Sequence, residues 1–519
     1  MKTLTTYLQD NVKHTAITLF LVITGGYLTY YYTLPSKKAT KVQNRGFKTI
    51  PVPKGRVPYF GHLFGLMESP SRQMVKWQKE MGPIMLVYMG VKSWYILGDP
   101  YLAHEVFCTN GSITSNRPFQ TYTHQYYSQE RGIIFPNPSD NWNKTRAAVL
   151  QWITPKNVSK MNHLLEPEAD KLVEHLLDLT TSQGGHVDII KPLQLAAMNV
   201  ILTMGFGKRA SSMEDPTFKA IISNIENGLV HANIIRDMGT FLPLFSFVDR
   251  LFQPGMRRFA QEDTIPLYTG LINEALATDV HCLAKHLSQL DHMDDLAMAV
   301  TMSDTIAAGS DTIAITTAWS IIILCCYQDI QKSLQEEVDQ FITTHKRLPL
   351  FDEREQLPHL VSFQKESMRF RATTPFGLLH ETSKDLICRD YFIPKGATIV
   401  SNMQAINMNP DVYDDPKQFL PERFLDKLKP MYASANAAVH ERDHFNFGWG
   451  RRTCPGSFLA EVEIFYILAR LLAKTKIEPT LDQEGQPNYP DLNALNEVGT
   501  VNLPKDTTVC ITKRSDAIL

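Results

Sequence analysis

The chain has 519 residues, 44% of them apolar and 20% charged, with a formal net charge of -2. That length allows one large domain, or two fused ones, around a deep pocket; the near-neutral charge excludes nucleic acid as the main partner, because phosphate binding needs a basic surplus. Seven scattered cysteines without a CxxC pair exclude a disulfide framework and a zinc site, and fit a reducing compartment where most thiols pack as small apolar groups.

Between Lys13 and Lys37 there is no charged residue, and the stretch holds Ile17-Thr18-Leu19-Phe20-Leu21-Val22-Ile23, followed by Tyr27, Tyr30, Tyr31 and Tyr32. About 20 apolar residues span a bilayer as a helix, with aromatic residues at its headgroup edge. A cleaved signal peptide fits less well, since the run is long and lacks a small-residue cleavage site. Lys37, Lys38, Lys41, Arg45 and Lys48 outnumber the upstream Lys2 and Lys13, which places the body on the cytosolic side. The expected organisation is a short lumenal N-terminus over 1–13, a transmembrane signal-anchor over 14–36, a basic and Pro-rich linker over 37–60, and a body over 61–519.

Within the body, three-to-four spacing of apolar residues predicts helices over Gln73–Glu80, Asn141–Ile153, Pro167–Leu179 and Asp294–His345. Short β-like runs lie at Ile84–Tyr88, Ser93–Leu97, Thr398–Val400 and Thr508–Ile511. The fold class is therefore mainly α with a small β portion.

The strongest chemical signal is the run Phe447-Gly448-Trp449-Gly450-Arg451-Arg452-Thr453-Cys454-Pro455-Gly456. Glycines let backbone approach a flat ligand, loop amides can hold a sulfur as thiolate, and arginines can pair with ligand carboxylates. A cysteine thiolate on haem iron favours O–O cleavage, the chemistry of oxygen insertion. A second signal, Ala308-Gly309-Ser310-Asp311-Thr312, breaks helix propensity inside an apolar helix, as functional sites do. Glu366 and Arg369 share a helix face at i, i+3; alone they read as a solvated surface pair.

The cysteine segment resembles the haem-binding signature of the cytochromes P-450, Phe-x-x-Gly-x-x-x-Cys-x-Gly, through Phe447, Gly450, Cys454 and Gly456. The resemblance runs from the anchor to Arg514 and is nearest to fungal microsomal members. It implies the cytochrome P-450 fold behind one N-terminal transmembrane helix, with Cys454 as iron ligand. Arg452, Trp142, Arg146, His380, Phe447, Gly448 and Gly456 would bind the cofactor, haem b. Arg452 stands where the family pairs a propionate, with Arg451 as the competing neighbour. Thr312 would hydrogen-bond iron-bound oxygen or its water, Asp311 would help relay protons, and Gly309 would leave room for oxygen. Glu366, Arg369 and Arg423, the last in Phe419-Leu420-Pro421-Glu422-Arg423-Phe424, would form a buried structural triad. Substrate contacts are expected from Phe119, Tyr122, Ala308, Thr374, Phe376 and Val498.

The implied activity is oxygen insertion into a lipophilic small molecule (steroid, terpenoid, fatty acid or xenobiotic). Electrons would come from NADPH through a separate NADPH-cytochrome P-450 reductase, with cytochrome b5 as a second donor, at the endoplasmic reticulum membrane. The chain shows no nucleotide-binding GxGxxG or flavin domain, and Lys144 and Arg451 could form part of a basic docking face. Two alternatives stay open: a haem-thiolate isomerase or dehydratase needing neither O2 nor reductase, and a non-enzymatic membrane haem carrier or sensor. Both lack a use for the Asp311–Thr312 pair.

Overall fold

A computed structural model of the chain describes residues 46–498 and 500–518. The expected lumenal segment, the anchor over 14–36 and the first part of the linker lie outside the described residues, as does Gly499. The later part of the expected linker does not act as a spacer. The Leu86 amide donates to Pro51 O at 2.9 Å, the Lys48 amide to Asp390 O at 2.8 Å, and Pro53 is buried. Prolines cannot donate to a ladder but their carbonyls accept, so this extended stretch covers the free edge of the first strand.

That edge belongs to a four-stranded sheet. β1 (Ile84–Met89) and β2 (Lys92–Leu97) form an antiparallel hairpin. The same sheet takes up two later strands, β3 (His380–Glu381) and β4 (Thr398–Ser401). β4 lies parallel to β2 and antiparallel to β3. Most of the rest is helical. α1 is Asp140–Trp152, α2 Asn162–Ser182, α3 Ile190–Phe206, α4 Asp295–Cys326, α5 Pro358–Phe370 and α6 Ser457–Lys474. α4 packs along α3, and α6 along α2. Together they form one apolar core that reaches from Leu165 through Ile306 and Trp319's neighbours to Leu472. Among the described residues α4 is the one helix long and apolar enough to cross a membrane, yet it is mostly buried in protein. It is the core of the fold.

Apolar periodicity runs unbroken from 294 to 345, but the helix does not. It stops at Cys326, Tyr327 leaves helical geometry, and a second helix runs from Gln328 to His345. The carbonyls freed at the break are not exposed. Gln328 Nε2 donates to Cys325 O at 2.9 Å and Gln331 Nε2 to Leu324 O at 3.2 Å, and both also reach Ile477 O at 2.8 Å. Side chains of the following helix thus satisfy the end of α4, a job usually given to glycine.

Candidate active site around Cys454

The cysteine loop is built by two tight turns. Gly448 and Gly450 both have positive φ (74° and 53°), and a Cβ on Gly450 would collide with the Phe107 carbonyl. Only glycine meets both demands at 450. The Cys454 amide donates to Phe447 O at 2.8 Å and Thr453 Oγ1 to Gly450 O at 2.8 Å, closing the loop on itself. Phe447 is buried against Met368, Met431 and Ala435, and Trp449 Nε1 donates to Ser401 Oγ at 2.9 Å, so both ends are fixed to the body.

Cys454 sits three residues before α6, at the positive end of an 18-residue helix. Its side chain is exposed by area, yet surrounding protein desolvates it enough to raise the thiol pKa; the Gly456 amide and Arg146 pull the other way. The sulfur is thus accessible yet partly enclosed by protein. It is the only cysteine in the exposed class.

Beside the loop lies a cluster of cations. Arg452 is buried: Nε donates to Ser115 O at 3.0 Å, Nη1 to Ile133 O at 3.4 Å and Nη2 to Pro136 O at 2.5 Å. Its guanidinium lies 4.2 Å from the Trp142 ring. Arg451, one residue earlier, is exposed. Arg146 donates to Thr453 O, and Arg117 to Ile134 O, Leu378 O and Leu379 O at 2.7 to 3.1 Å. Burial together with the neighbouring arginines pushes Arg117 down to about 9 and Arg452 to about 8. Burial, Arg117 and Arg452 likewise hold His380 well below the usual imidazole range, with Nδ1 2.8 Å from Thr114 O. Among the described residues, none of the three arginines has a carboxylate in ion-pair contact. Carbonyls align these groups but do not neutralise them, so the cluster suits an anion with more than one carboxylate.

Arg452, Arg146 and His380, expected from the sequence, lie together here with Arg117, which was not expected: a lone arginine in a loop whose partners lie up to 262 residues away. Trp142 differs from expectation in how it takes part. Its one donor, Nε1, is used on Ile133 O at 3.1 Å, which leaves its ring face for Arg452 and Arg146.

Opposite in character is α4. Most residues from Ala297 to Cys325 are buried, but between 305 and 312 Thr305, Ala307, Gly309, Asp311 and Thr312 are half-buried and Ala308 is exposed; Thr305, Ala308 and Thr312 share one face. At i, i+3 and i+7 they form a stripe of small side chains on one helix face. Thr312 Oγ1 donates to Ala308 O at 2.6 Å, and Thr305 and Thr316 bond back one turn in the same way. The polar residues are thus accommodated without breaking the helix. Thr312 spends its proton on Ala308 and keeps its lone pairs. Asp311 faces α3, accepting from Gln194 Nε2 at 2.9 Å, and burial raises its pKa. Gly309 departs from expectation: a Cβ there would collide with Ile201, so the glycine permits close packing of α4 on α3. It is not an opening for a ligand.

Glu366, Arg369 and Arg423 meet as one buried group. Glu366 accepts from Arg369 at 2.6 and 2.7 Å and from Arg423 at 3.1 Å. Arg369 also donates to Asn407 O at 2.7 Å. Asn407 then bonds Asn446 at 2.6 Å and the Phe445 amide at 3.2 Å, just before the cysteine loop. Of the residues expected to touch substrate, Tyr122 is buried in an aromatic group with Tyr127, His231 and Phe259. Phe119 and Val498 are exposed, Thr374 is half-buried, and Phe376 packs on the cluster under the four-stranded sheet. Two open surface grooves, of about 550 and 440 Å³, include none of these residues.

The donor set fits a haem: an accessible yet desolvated sulfur at a helix N-terminus, unneutralised arginines for two propionates, and a helix face of small side chains. Comparison with known proteins agrees. The cytochrome P450 family model matches residues 51–511. Cytochrome P450 monooxygenase 79 of Postia placenta is 25% identical, covering 91% of either chain. Cytochrome P450 monooxygenase COX2 of Coprinopsis cinerea is 26% identical, covering 92% of this chain and 91% of its own. A solved zebra fish cytochrome P450 with abiraterone shares the fold at a TM-score of 0.68 and 24% identity, covering 86% of this chain and all of its own. The chain belongs to the cytochrome P450 family.

Proposed function

We propose that the protein is a haem-thiolate monooxygenase that inserts one oxygen atom of O2 into a lipophilic small molecule. Electrons would come from NADPH through a separate NADPH-cytochrome P-450 reductase, with cytochrome b5 as a second donor. The observation that carries this reading is the accessible yet desolvated Cys454 sulfur beside Arg117, Arg146 and Arg452, none of which has a carboxylate in ion-pair contact among the described residues. Cys454 would ligate the iron of haem b; Arg117, Arg146, Arg452 and His380 would hold the propionates, with Trp142 as a stacking face. When bound, the haem supplies oxygen activation, which an anionic sulfur ligand promotes. A coordinated metal keeps such a thiol deprotonated despite its burial.

The protein's own part is to bind, orient and move protons. With its hydrogen on Ala308 O, Thr312 Oγ1 can accept a hydrogen bond from a proton-bearing ligand on the small-residue face of α4. Asp311 can hold a proton between α4 and α3, near Lys191 and Glu226. Exposed Lys144 and Arg451 suit a docking face for an acidic electron donor. In Thr312→Ala, product formation should fall on the order of 100-fold while NADPH is still consumed, since a positioned proton-transfer group contributes at least that much. Turnover of a lipophilic substrate without NADPH and reductase would contradict the monooxygenase reading and favour the isomerase.

We further read the body, from about residue 47 onward, as a cytosolic domain held at the endoplasmic reticulum membrane by the 14–36 segment. The body itself offers a contiguous apolar surface. Phe64, Met67, Leu244, Phe247 and Leu251 are 55 to 78% exposed, and Phe64, Phe60, Phe245 and Phe247 connect through ring contacts of 5.2 to 6.4 Å. A patch of this kind marks an interaction or membrane surface. Replacing Phe247 and Leu251 together with Asp should weaken flotation of the body with phospholipid vesicles; unchanged flotation would remove this support.

A further inference from the structure

Asp304 lies on α4 about two turns before Thr312. It is 1% exposed, and among the described residues no cation pairs with it. Instead it binds one loop. Oδ1 accepts from Tyr127 Oη at 2.8 Å; Oδ2 accepts from the amides of Ile133 and Ile134 at 2.8 and 3.1 Å. The loop is shaped to reach it. Gly132 has φ of 86°, and a Cβ there would collide with Asp304 Oδ2 and Val300. Three donors on one carboxylate offset the cost of burying it, although burial still raises its pKa to about 6.

The peptide unit that joins Ile133 to Ile134 presents its N–H to Asp304 and its carbonyl to the cation cluster, and the Ile134 carbonyl, one unit further on, turns to the same cluster. Ile133 O accepts from Trp142 Nε1 and Arg452 Nη1, and Ile134 O accepts from Arg117 Nε. An amide plane is rigid, so holding the Ile134 N–H fixes the direction of the Ile133 carbonyl, and the Ile134 carbonyl follows one residue on. Any slack at Asp304 would pass to the guanidinium groups of Arg452 and Arg117, each of which takes one of its carbonyl contacts from this loop. We infer that Asp304 is a positioning residue for the propionate cradle, a clasp that fastens the loop 127–134 to α4 and so sets the reach of Arg117, Arg452 and the Trp142 ring. The inference rests on the reading of these arginines as holders of a haem, and it gives α4 a second role in addition to that of Thr312.

The test is the rate at which the purified holoprotein loses haem to an excess of apoglobin, followed by absorbance. Asp304→Ala leaves the two amides without this acceptor and the Tyr127 hydroxyl with only Val300 O, at 3.5 Å, and haem loss should speed up about tenfold or more. Asp304→Asn keeps an acceptor for the amides and should return most of the wild-type retention. Gly132→Ala should behave like Asp304→Ala, and it carries the same test should that variant not fold. As a control for general weakening, Trp319→Phe removes a buried hydrogen bond (Nε1 to Asn502 O, 3.0 Å) from the other end of the same helix. It should lower the unfolding midpoint but leave the haem-loss rate at the wild-type value. If Asp304→Ala and Gly132→Ala release haem no faster than Trp319→Phe, the clasp is wrong while the haem reading stands. A wild type that holds no haem overturns both.

Discussion

Glu366→Ala is expected to cost the protein its folded, cofactor-holding state. The carboxylate is fully buried and, among the described residues, is the only acidic partner of Arg369, itself fully buried, and of Arg423, 9% exposed. Its removal leaves two guanidinium charges in a low-dielectric interior, with only carbonyl acceptors such as Asn407 O, Pro416 O and Asp414 O. Breaking a buried pair in this way costs about 3–5 kcal/mol, whereas total stability of a domain is typically about 5–15 kcal/mol. The loss would also reach the cysteine loop, because Asn407 links Arg369 to Phe445 and Asn446. The Leu420 amide loses its acceptor as well, at 3.0 Å from Glu366. The check is denaturant unfolding together with haem content after purification. A variant with wild-type midpoint and full haem would show that the triad is not structural.

Cys454→Ala is expected to abolish oxygenase activity without a comparable loss of fold. The loop is held by backbone bonds (Cys454 N to Phe447 O, Arg146 to Thr453 O) and by buried Phe447 and Trp449, none of which needs the sulfur. The thiolate alone would supply the electron donation that favours O–O cleavage. Cys108 is a demanding control. It lies half-buried against Gly450 and Arg442, close to the same loop but outside the Phe447–Gly456 run, and burial raises its thiol pKa. Cys108→Ala should retain turnover. Activity in Cys454→Ala, or its loss in Cys108→Ala alone, would reassign the ligand.

The parts legible in the sequence were those in which neighbours along the chain are neighbours in space. The Phe447–Gly456 loop and the start of α4 at an N-capping Asp294 are of this kind. So is the i, i+3 spacing of Glu366 and Arg369, though by itself it suggested a surface pair; its burial became evident only with Arg423, 54 positions further on. What stayed hidden depends on tertiary contact. Arg117 has no sequence neighbour that marks it. Asp304 did leave a signal, an acid inside an apolar helix, the same broken rule that drew attention to Asp311. Gly309 announced a close approach but not of what, and the approaching group is Ile201. The helix break at Tyr327 carries no Gly or Pro, because Gln328 and Gln331 satisfy the freed carbonyls. α2 begins at Asn162 and runs through Pro167, where a proline would suggest a start.

The account is centred on one bond, between the Cys454 sulfur and a haem iron. Its most direct test is the absorbance spectrum of the dithionite-reduced, carbon monoxide-bound protein, recorded for the wild type and for Cys454→Ala. Wild type should show the red-shifted Soret band that thiolate ligation gives, and Cys454→Ala should lack it while remaining folded. A wild type without that band, or a Cys454→Ala protein that keeps it, would contradict the assignment of Cys454.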